Sequence, residues 1–197
     1  MAIQQYKTFV LLVMVVLSFF AASPVLQKFV LDSQTTHLTE FSILGQYHNT
    51  TYPVNVASEA EQSLFLGVTN HMGSCVYYQI EVKFRNESQS APDSFNKTNS
   101  ALMPTGVIPL FLADNQTAEL PITISFQYKT STAAVTMQKI IINGFPMTAN
   151  LPTLTWDNKN SGYLGNLFFE LWTYNQTANA FQYDQRYVSL WLNFGFS

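Results

Sequence analysis

The chain has 197 residues, of which 11% are charged and 15% are aromatic, and its formal net charge is −3. That length accommodates one domain of ordinary size with a short appendage, and the aromatic content excludes an intrinsically disordered chain, in which such residues are scarce. Because the few Lys and Arg residues form no basic cluster, nucleic acid is excluded as a partner.

The first predicted element is a membrane-spanning helix. Residues 9–26 lie within MAIQQYKTFVLLVMVVLSFFAASPVLQKFVL and carry no charge, and a helix of that length reaches about 27 Å, close to the thickness of a hydrocarbon core. A cleaved signal peptide is the alternative. Cleavage after Ala22 would place bulky Phe20 where a small residue is required, and cleavage after Ser23 would place Pro24 next to the scissile bond. We therefore expect residues 1–30 to be an uncleaved anchor that contacts membrane lipid through residues 9–26.

Five glycosylation sequons indicate the orientation of this anchor. Lys7 before the span and Lys28 after it are too balanced for the positive-inside rule to decide. Asn-x-Ser/Thr triplets, all beyond the span, stand at Asn49, Asn86, Asn96, Asn115 and Asn175. These asparagines are candidate N-glycosylation sites. We expect the amino terminus to lie inside and the bulk of the chain outside, in a single-pass protein of the cell membrane.

Beyond a short polar stalk at residues 31–40, the sequence has the pattern of β-strands. In YQIEVKFR, residues 78–85, apolar residues alternate with polar ones, which predicts one buried face and one solvated face that carries Glu81 and Lys83. ELPITISFQ, residues 119–127, repeats the alternation with Pro121 pointing outward, as in an edge strand or at a strand beginning.

Further strands are predicted at residues 63–69, 107–112, 135–142, 167–174 and 187–194. A polar surface loop is predicted at residues 86–101, and a longer hairpin loop at residues 175–185. Seven or so short strands with turns between them predict an all-β fold. The expected architecture is an immunoglobulin-like antiparallel β-sandwich over residues 41–197, preceded by one N-terminal transmembrane helix.

The Asn70-His71 pair in LFLGVTNHMGSCVYYQIEVKFRN raises the question of a reactive site. Asn tolerates left-handed backbone geometry and Gly73 adopts it without strain, so NHMGS has the composition of a turn between two strands. We interpret His71 as a turn residue that caps backbone groups or faces solvent. Cys75 is the single cysteine and cannot form an internal disulfide. We interpret it as a half-buried strand residue, with an intermolecular disulfide as the alternative.

Two blocks of this sequence resemble an archaeal membrane family, the domain of unknown function 1616. The first block carries Leu44-Gly45, Tyr52-Pro53, Gly67-Val68-x-Asn70-His71 and Tyr77-Tyr78, and the closing block carries Phe169-Glu170-Leu171-Trp172 and Leu190-Trp191-Leu192-Asn193. The resemblance spans about residues 41–194 and implies an external domain without an established activity. The sequence departs from the family pattern in its single membrane segment and in Met72, where an acidic residue often stands.

Candidate catalytic and metal-binding residues are scarce. His37, His48 and His71 lack the spacing of a metal site, and Glu59 and Glu61 have the setting of a solvated turn before a strand. We therefore expect no enzyme, no catalytic residue, no metal ligand and no cofactor.

The aromatic residues allow two interpretations. Trp156, Trp172, Trp191 and Tyr163 are candidates for a sugar-binding platform, but cross-strand packing of Trp172 against Trp191 is favoured. Glu170 shares a strand face with Trp172, and we interpret it as a solvated partner of a Lys or Arg.

The leading functional hypothesis is a structural or protein-interaction role in the archaeal cell envelope, exerted through surface contacts with a protein partner. One alternative is an accessory subunit of a membrane enzyme or transporter complex. The other is a strand-donating subunit of a surface filament, which would require release from the membrane.

Overall fold

The computed structural model describes residues 7, 10–15, 18 and 37–195. The chain divides into two compact units, Met1–His37 and Leu38–Ser197. In the first unit residues 10–15 are helical, and among the described residues there is no helix with the length and apolarity that crossing a membrane requires. Most of the predicted span, and residues 31–36 of the predicted stalk, lie outside the described residues.

The second unit consists of strands joined by turns and loops. The strands are β1 Leu38–Gly45, β2 Asn55–Val56, β3 Gln62–His71, β4 Val76–Arg85, β5 Gly106–Leu112, β6 Thr117–Thr130, β7 Ala134–Ile142, β8 Phe145–Met147, β9 Thr153–Asp157, β10 Gly162–Asn175 and β11 Ala180–Phe194.

These strands form a curled open sheet in the order β1-β3-β6-β7-β9-β10-β11-β2. On one side of β10, β9 pairs with Gly162 and Tyr163, and β4 pairs with Asn166–Thr173 and carries β5 on its far edge. The pairings are antiparallel except for the short parallel contact between β11 and β2. The all-β, antiparallel expectation is confirmed at this level.

An aromatic cluster joins the two halves of the curled sheet. Phe84 on β4, Phe126 on β6 and Phe194 on β11 meet with ring centroids 5.2–5.9 Å apart. All three side chains are at most 2% exposed, so the inner faces of the two halves share one core. Aromatic side chains of this size contribute most of the apolar area that such a core removes from water.

Pro121 lies within a strand rather than at its beginning. It belongs to β6, and pairing of β6 with β7 starts at Ile124. Thr123 N–H, which points to the β7 side, donates to Asn143 Oδ1 at 2.7 Å, and Asn143 Nδ2 donates to Pro121 O at 3.2 Å. Because alternate backbone nitrogens point to the same side, the missing N–H of Pro121 faces the space beyond the end of β7. At that point β6 is a local edge, which is where proline is tolerated.

Several predicted boundaries are wrong, and β10 begins at Gly162 rather than at residue 167. Leu38–Glu40, placed in the stalk by their polarity, belong to β1, because the whole of β1 pairs with β3 from Leu38 opposite His71 onward. The predicted hairpin loop 175–185 is shorter, since β11 already begins at Ala180. β1 is not among the predicted strands. The short strands β2, β8 and β9 were also missed, because segments of two to five residues carry too little periodicity to detect.

Gly45 and Gly67 stand where backbone or side-chain atoms approach closely. A Cβ atom at position 45 would lie 1.9 Å from the carbonyl oxygen of Thr51, and backbone cannot move aside cheaply. A Cβ atom at position 67 would lie 2.6 Å from Ser42 Oγ, a side-chain atom that can rotate. The turn after β1 therefore requires glycine at position 45.

Candidate functional site

The outer face of β4, β10 and β11, opposite the core, carries a buried charge cluster. Lys83 Nζ lies 2.6 Å from Glu170 Oε2 and 3.0 Å from Glu81 Oε2. The Lys83 and Glu170 side chains are 2% and 0% exposed. The prediction that Lys83 and Glu170 face solvent is therefore wrong, and Glu81 is only 13% exposed, although the prediction that Glu170 pairs with a Lys or Arg is confirmed.

The loop between β4 and β5, residues 86–105, covers this cluster. Ser100 N–H donates to Glu170 Oε1 at 2.6 Å, and Lys83 Nζ donates to Ser100 O at 3.3 Å. Ser100 Oγ in turn donates to Ser90 O at 3.0 Å. Phe168, on the same face, is fully buried without belonging to the main core. The loop thus makes the outer face into a second buried layer whose charges are paired and hydrogen-bonded, as buried charges must be.

Aromatic and acidic groups continue the cluster along β10 and β11. Trp172 packs against Tyr183 with ring centroids 5.6 Å apart, and its ring centroid lies 5.8 Å from Lys83 Nζ. Trp172 Nε1 is buried without a hydrogen-bond partner among the described residues. Burial and the Glu170 carboxylate raise the pKa of Tyr183. Burial also raises the pKa of Asp184, an effect that Arg186 Nη1, 3.1 Å away, partly offsets.

An apolar strip is exposed where the outer face reaches β5. Tyr77, Val107 and Phe111 are 43%, 47% and 63% exposed. Tyr77 and Phe111 are opposite each other in the β4–β5 register, and Tyr77 also packs on Phe181, with ring centroids 5.3 Å apart. We call these three residues, Tyr77, Val107 and Phe111, the apolar strip. Side chains of this kind grouped on one surface are typical of interaction sites.

Asn70 joins the turn after β3 to the turn after β5. It is fully buried, and its Nδ2 lies 2.8–3.1 Å from the carbonyl oxygens of Ser74, Leu112 and Ala113. Its Oδ1 accepts a hydrogen bond from Met72 N–H at 3.0 Å. The Asn70 side chain therefore satisfies backbone groups of the turn after β3 and connects that turn to the backbone at the end of β5.

The three histidines do not converge. His71 ends β3, with Nδ1 3.0 Å from Asn115 Oδ1 and Nε2 3.6 Å from Glu40 Oε1. His48 Nδ1 lies 2.7 Å from Glu119 Oε1, and its ring stacks on Phe65. Within the described part of the chain, no three His, Cys, Asp or Glu residues are grouped closely enough to hold a metal ion.

The interpretations of Cys75 and of the Trp172–Trp191 pair are wrong. Cys75 is exposed in the turn before β4 rather than half-buried in a strand. Trp172 and Trp191 are not opposite each other, since Trp172 faces Tyr183 and Trp191 faces Asn166 across the β10–β11 register. The bulge between Leu171 and Trp172 shifts this register. Trp156 packs on Tyr163, on the core side of β10, so the four aromatics of the predicted platform are divided between two faces.

The five candidate glycosylation sites lie at the ends of strands or in turns. Asn49, Asn96 and Asn115 are exposed, whereas Asn86 and Asn175 are half-buried. Asn86 Nδ2 donates to Thr153 O at 3.1 Å, and Asn175 Nδ2 donates to Gln182 Oε1 at 3.0 Å. Attachment of a glycan at these five positions stays a prediction.

A family model described as a domain of unknown function, number 1616, matches residues 33–137, more than half of the chain. The chain belongs to this family. The matched segment includes Asn70, Lys83 and Ser100, whereas Glu170 and the closing block that resembles the family lie beyond it. In this chain, Asn70 is a buried structural amide and His71 is partly exposed.

Comparison with solved structures finds distant likenesses. A β-glucosidase from Listeria innocua in complex with glucose is 9% identical with a TM-score of 0.40, over 80% of this chain and 16% of that one. The same enzyme in complex with isofagomine is 7% identical with a TM-score of 0.38, over 82% and 16%. The chain therefore spans about one sixth of the length of these structures. No curated protein matches the chain.

Replacement of Asn70 by alanine is expected to destabilise the domain by about 2–4 kcal/mol, because it leaves several buried carbonyl groups without a donor. His71→Ala, at the neighbouring half-exposed position, is expected to cost less than about 0.5 kcal/mol. Chemical denaturation of both variants measures the difference. Equal losses would show that Asn70 does not hold the two turns together.

Lys83→Met is expected to cost about 3–5 kcal/mol, because it leaves Glu170 buried without a cation. The double variant Lys83→Met, Glu170→Gln should be closer to the unmodified protein, since the remaining amide is neutral and can still accept from Ser100 N–H. Lys97→Met, an exposed change in the same loop, is the matched control.

Denaturation measures these stabilities, and hydrogen exchange of residues 86–105 reports whether the loop has been released. A Lys83→Met protein with unchanged stability and a protected loop would contradict the role of the buried pair.

Tyr183→Phe is expected to weaken the alkaline loss of stability. The raised pKa of Tyr183 means that the folded protein keeps a proton that the unfolded chain loses above about pH 10, so stability falls as pH rises through that range. Removing this hydroxyl should reduce the slope of unfolding free energy against pH by up to about 1.4 kcal/mol per pH unit. Denaturation between pH 9 and about 11.5 measures the slope, and Tyr47→Phe, at an exposed site, should leave it unchanged.

Proposed function

We propose that this protein is a membrane-anchored, extracytoplasmic β-sandwich with a structural or protein-interaction role in an archaeal cell envelope. The apolar strip is the observation that carries this proposal. The exposed surface of the edge strand β5 and the neighbouring part of β4 is uncharged and largely aromatic, and it consists of Tyr77, Val107 and Phe111. The partner that this surface fits is another protein subunit with an apolar face of its own.

The pairing of the inner faces supports the finer description of the fold as an immunoglobulin-like sandwich. β1, β3, β6 and β7 are neighbours in one half of the sheet, and β5, β4, β10, β11 and β2 are neighbours in the other. The contact between Phe84 and Phe126 joins the two halves across the core. Two antiparallel sets of strands packed in this way are the defining feature of such sandwiches.

The sequence supports the anchor and the outside location. The uncharged run 9–26 has the length of a membrane span. The five sequons all follow it, and three of them are exposed at turns of the second unit. A glycosylated domain outside the membrane, with its amino terminus inside, accounts for both observations.

Gentle detergent extraction of the native protein, followed by size determination and mass spectrometry of intact chains, tests this function. A full-length, glycan-bearing chain together with an envelope protein is the expected result. Stoichiometric co-elution with a multi-helix enzyme or transporter would instead make the protein an accessory subunit. A truncated chain in a polymer would show that the N-terminal segment is not an uncleaved anchor. The protein would then be a strand-donating subunit of a surface filament.

The variant Phe111→Glu tests whether the apolar strip is the contact surface. We expect it to abolish co-elution of the partner, because it places a charge in the centre of an apolar interface. Phe95→Glu, at a side chain that is 92% exposed and outside the strip, should leave the complex intact. Retention of the partner by Phe111→Glu would overturn the strip as the contact surface.

A further inference from the structure

A second feature of the outer face is a cleft at the opposite end from the apolar strip. Its volume is about 490 Å³, and it is lined by Val54, Glu87, Asn160, Leu164, Trp191 and Asn193. That volume is in the range of small-molecule sites and accommodates one or two sugar rings. The apolar strip contributes no residue to it, so the cleft is independent of the proposed protein interface.

Trp191 forms a rigid aromatic wall of this cleft. Its side chain is 43% exposed, and Arg85 Cζ lies 4.9 Å from the centre of its ring. Arg85 is itself fixed, with Nε donating to Asn166 Oδ1 at 3.0 Å and Nη1 donating to Gln89 O at 2.9 Å. Burial lowers the pKa of this guanidinium. Since Arg85 does not line the cleft, it supports the indole from outside and leaves ring surface for a ligand.

Asn193 is a preorganised polar group at the same site. Its side chain is nearly buried, its Oδ1 accepts from Tyr163 N–H at 3.1 Å, and its backbone N–H donates to Val54 O at 2.7 Å. A Cβ atom on Gly162 would lie 2.2–2.5 Å from the Asn193 amide, so glycine at that position is what admits this side chain. With Oδ1 engaged, Nδ2 remains as a donor, and it has no partner among the described residues.

The rim of the cleft adds an amide and a carboxylate. Asn160 is oriented by a hydrogen bond from its Nδ2 to Asp157 Oδ2, which leaves its Oδ1 as an acceptor. Glu87 is exposed and brings an acidic group. No cationic side chain is found among the described residues that line the cleft, and the Glu87 carboxylate disfavours phosphates and other anions there.

We propose that this cleft is a carbohydrate-binding subsite. An aromatic plane packs against the C–H face of a sugar ring, and neighbouring amide and carboxylate groups exchange hydrogen bonds with its hydroxyls. Trp191 provides the plane, Asn193 a donor, and Asn160 and Glu87 acceptors. Leu164 and Val54 contact the remaining apolar edge of the sugar. The ligand class is a neutral saccharide.

Two sources could supply this saccharide. One is a glycan of another molecule, and the other is a glycan attached to Asn86, the residue that directly precedes Glu87. Ser88→Ala distinguishes them because it removes the sequon while keeping Asn86, whose side chain holds the local turn.

Binding of the full-length protein in detergent to an immobilised panel of neutral hexose and N-acetylhexosamine oligosaccharides tests the proposal. The unmodified chain and Ser88→Ala are compared, each alone and combined with Trp191→Ala. Trp156→Ala is the matched control, since Trp156 is similarly exposed and does not line the cleft. Thermal melts confirm that each variant is folded.

Saccharide binding that Trp191→Ala weakens about tenfold or more, and that Trp156→Ala leaves unchanged, is the expected result. Binding by the unmodified chain would indicate an external glycan, and binding that appears only in Ser88→Ala would indicate the glycan on Asn86. Absence of binding in both backgrounds, or equal binding by folded Trp191→Ala, would overturn the subsite. Either failure leaves the protein-interaction test at Phe111 unaffected.

Discussion

Lys83 and Glu170 lose almost all contact with water when β4 pairs with β10 and loop 86–105 covers the pair, and the desolvation of these two charges constrains whatever is built on the outer face. A buried ion pair is tolerated when its geometry is good and its remaining hydrogen-bonding groups are satisfied. Ser100 meets that requirement by donating its N–H to the carboxylate and offering its carbonyl to the ammonium. The position of loop 86–105 therefore follows from the pair, and the loop in turn separates the apolar strip from the cleft at Trp191.

Sequence periodicity located the strands because most of them bury one face. β4 was predicted to within two residues at one end, and β5 and β7 to within one residue at one end. The solvation of the opposite face could not be read from the same pattern. Alternation in β4 shows that Lys83 and Val82 point to different sides, but both sides can be buried when a loop folds back. Lys83 and Glu170 are 87 residues apart in the sequence. Only the pairing of β4 with β10 brings these two charges together.

The composition of the candidate sites was partly visible in the sequence, and their geometry was not. Trp191 and Glu170 were both singled out, yet the residues that they face across the β10–β11 register, Asn166 and Tyr187, could not be read from the sequence. Glu87, Asn160 and Asn193 were missed, because residues from three separate segments converge only after the sheet has curled. Asn70 was assigned to a turn, whereas it lies at the end of β3, and its contacts to Leu112 and Ala113 depend on a second turn more than forty residues further along.

The two layers of this domain respond differently to heat. Hydration of charged groups becomes less favourable as temperature rises, so the desolvation penalty of a buried ion pair falls, while hydrophobic stabilisation per unit area levels off. The core around Phe84, Phe126 and Phe194 is held by hydrophobic stabilisation, whereas the Lys83–Glu170 layer contains the buried ion pair. Warming therefore shifts the balance of stability from the aromatic interior toward the charged layer beneath loop 86–105.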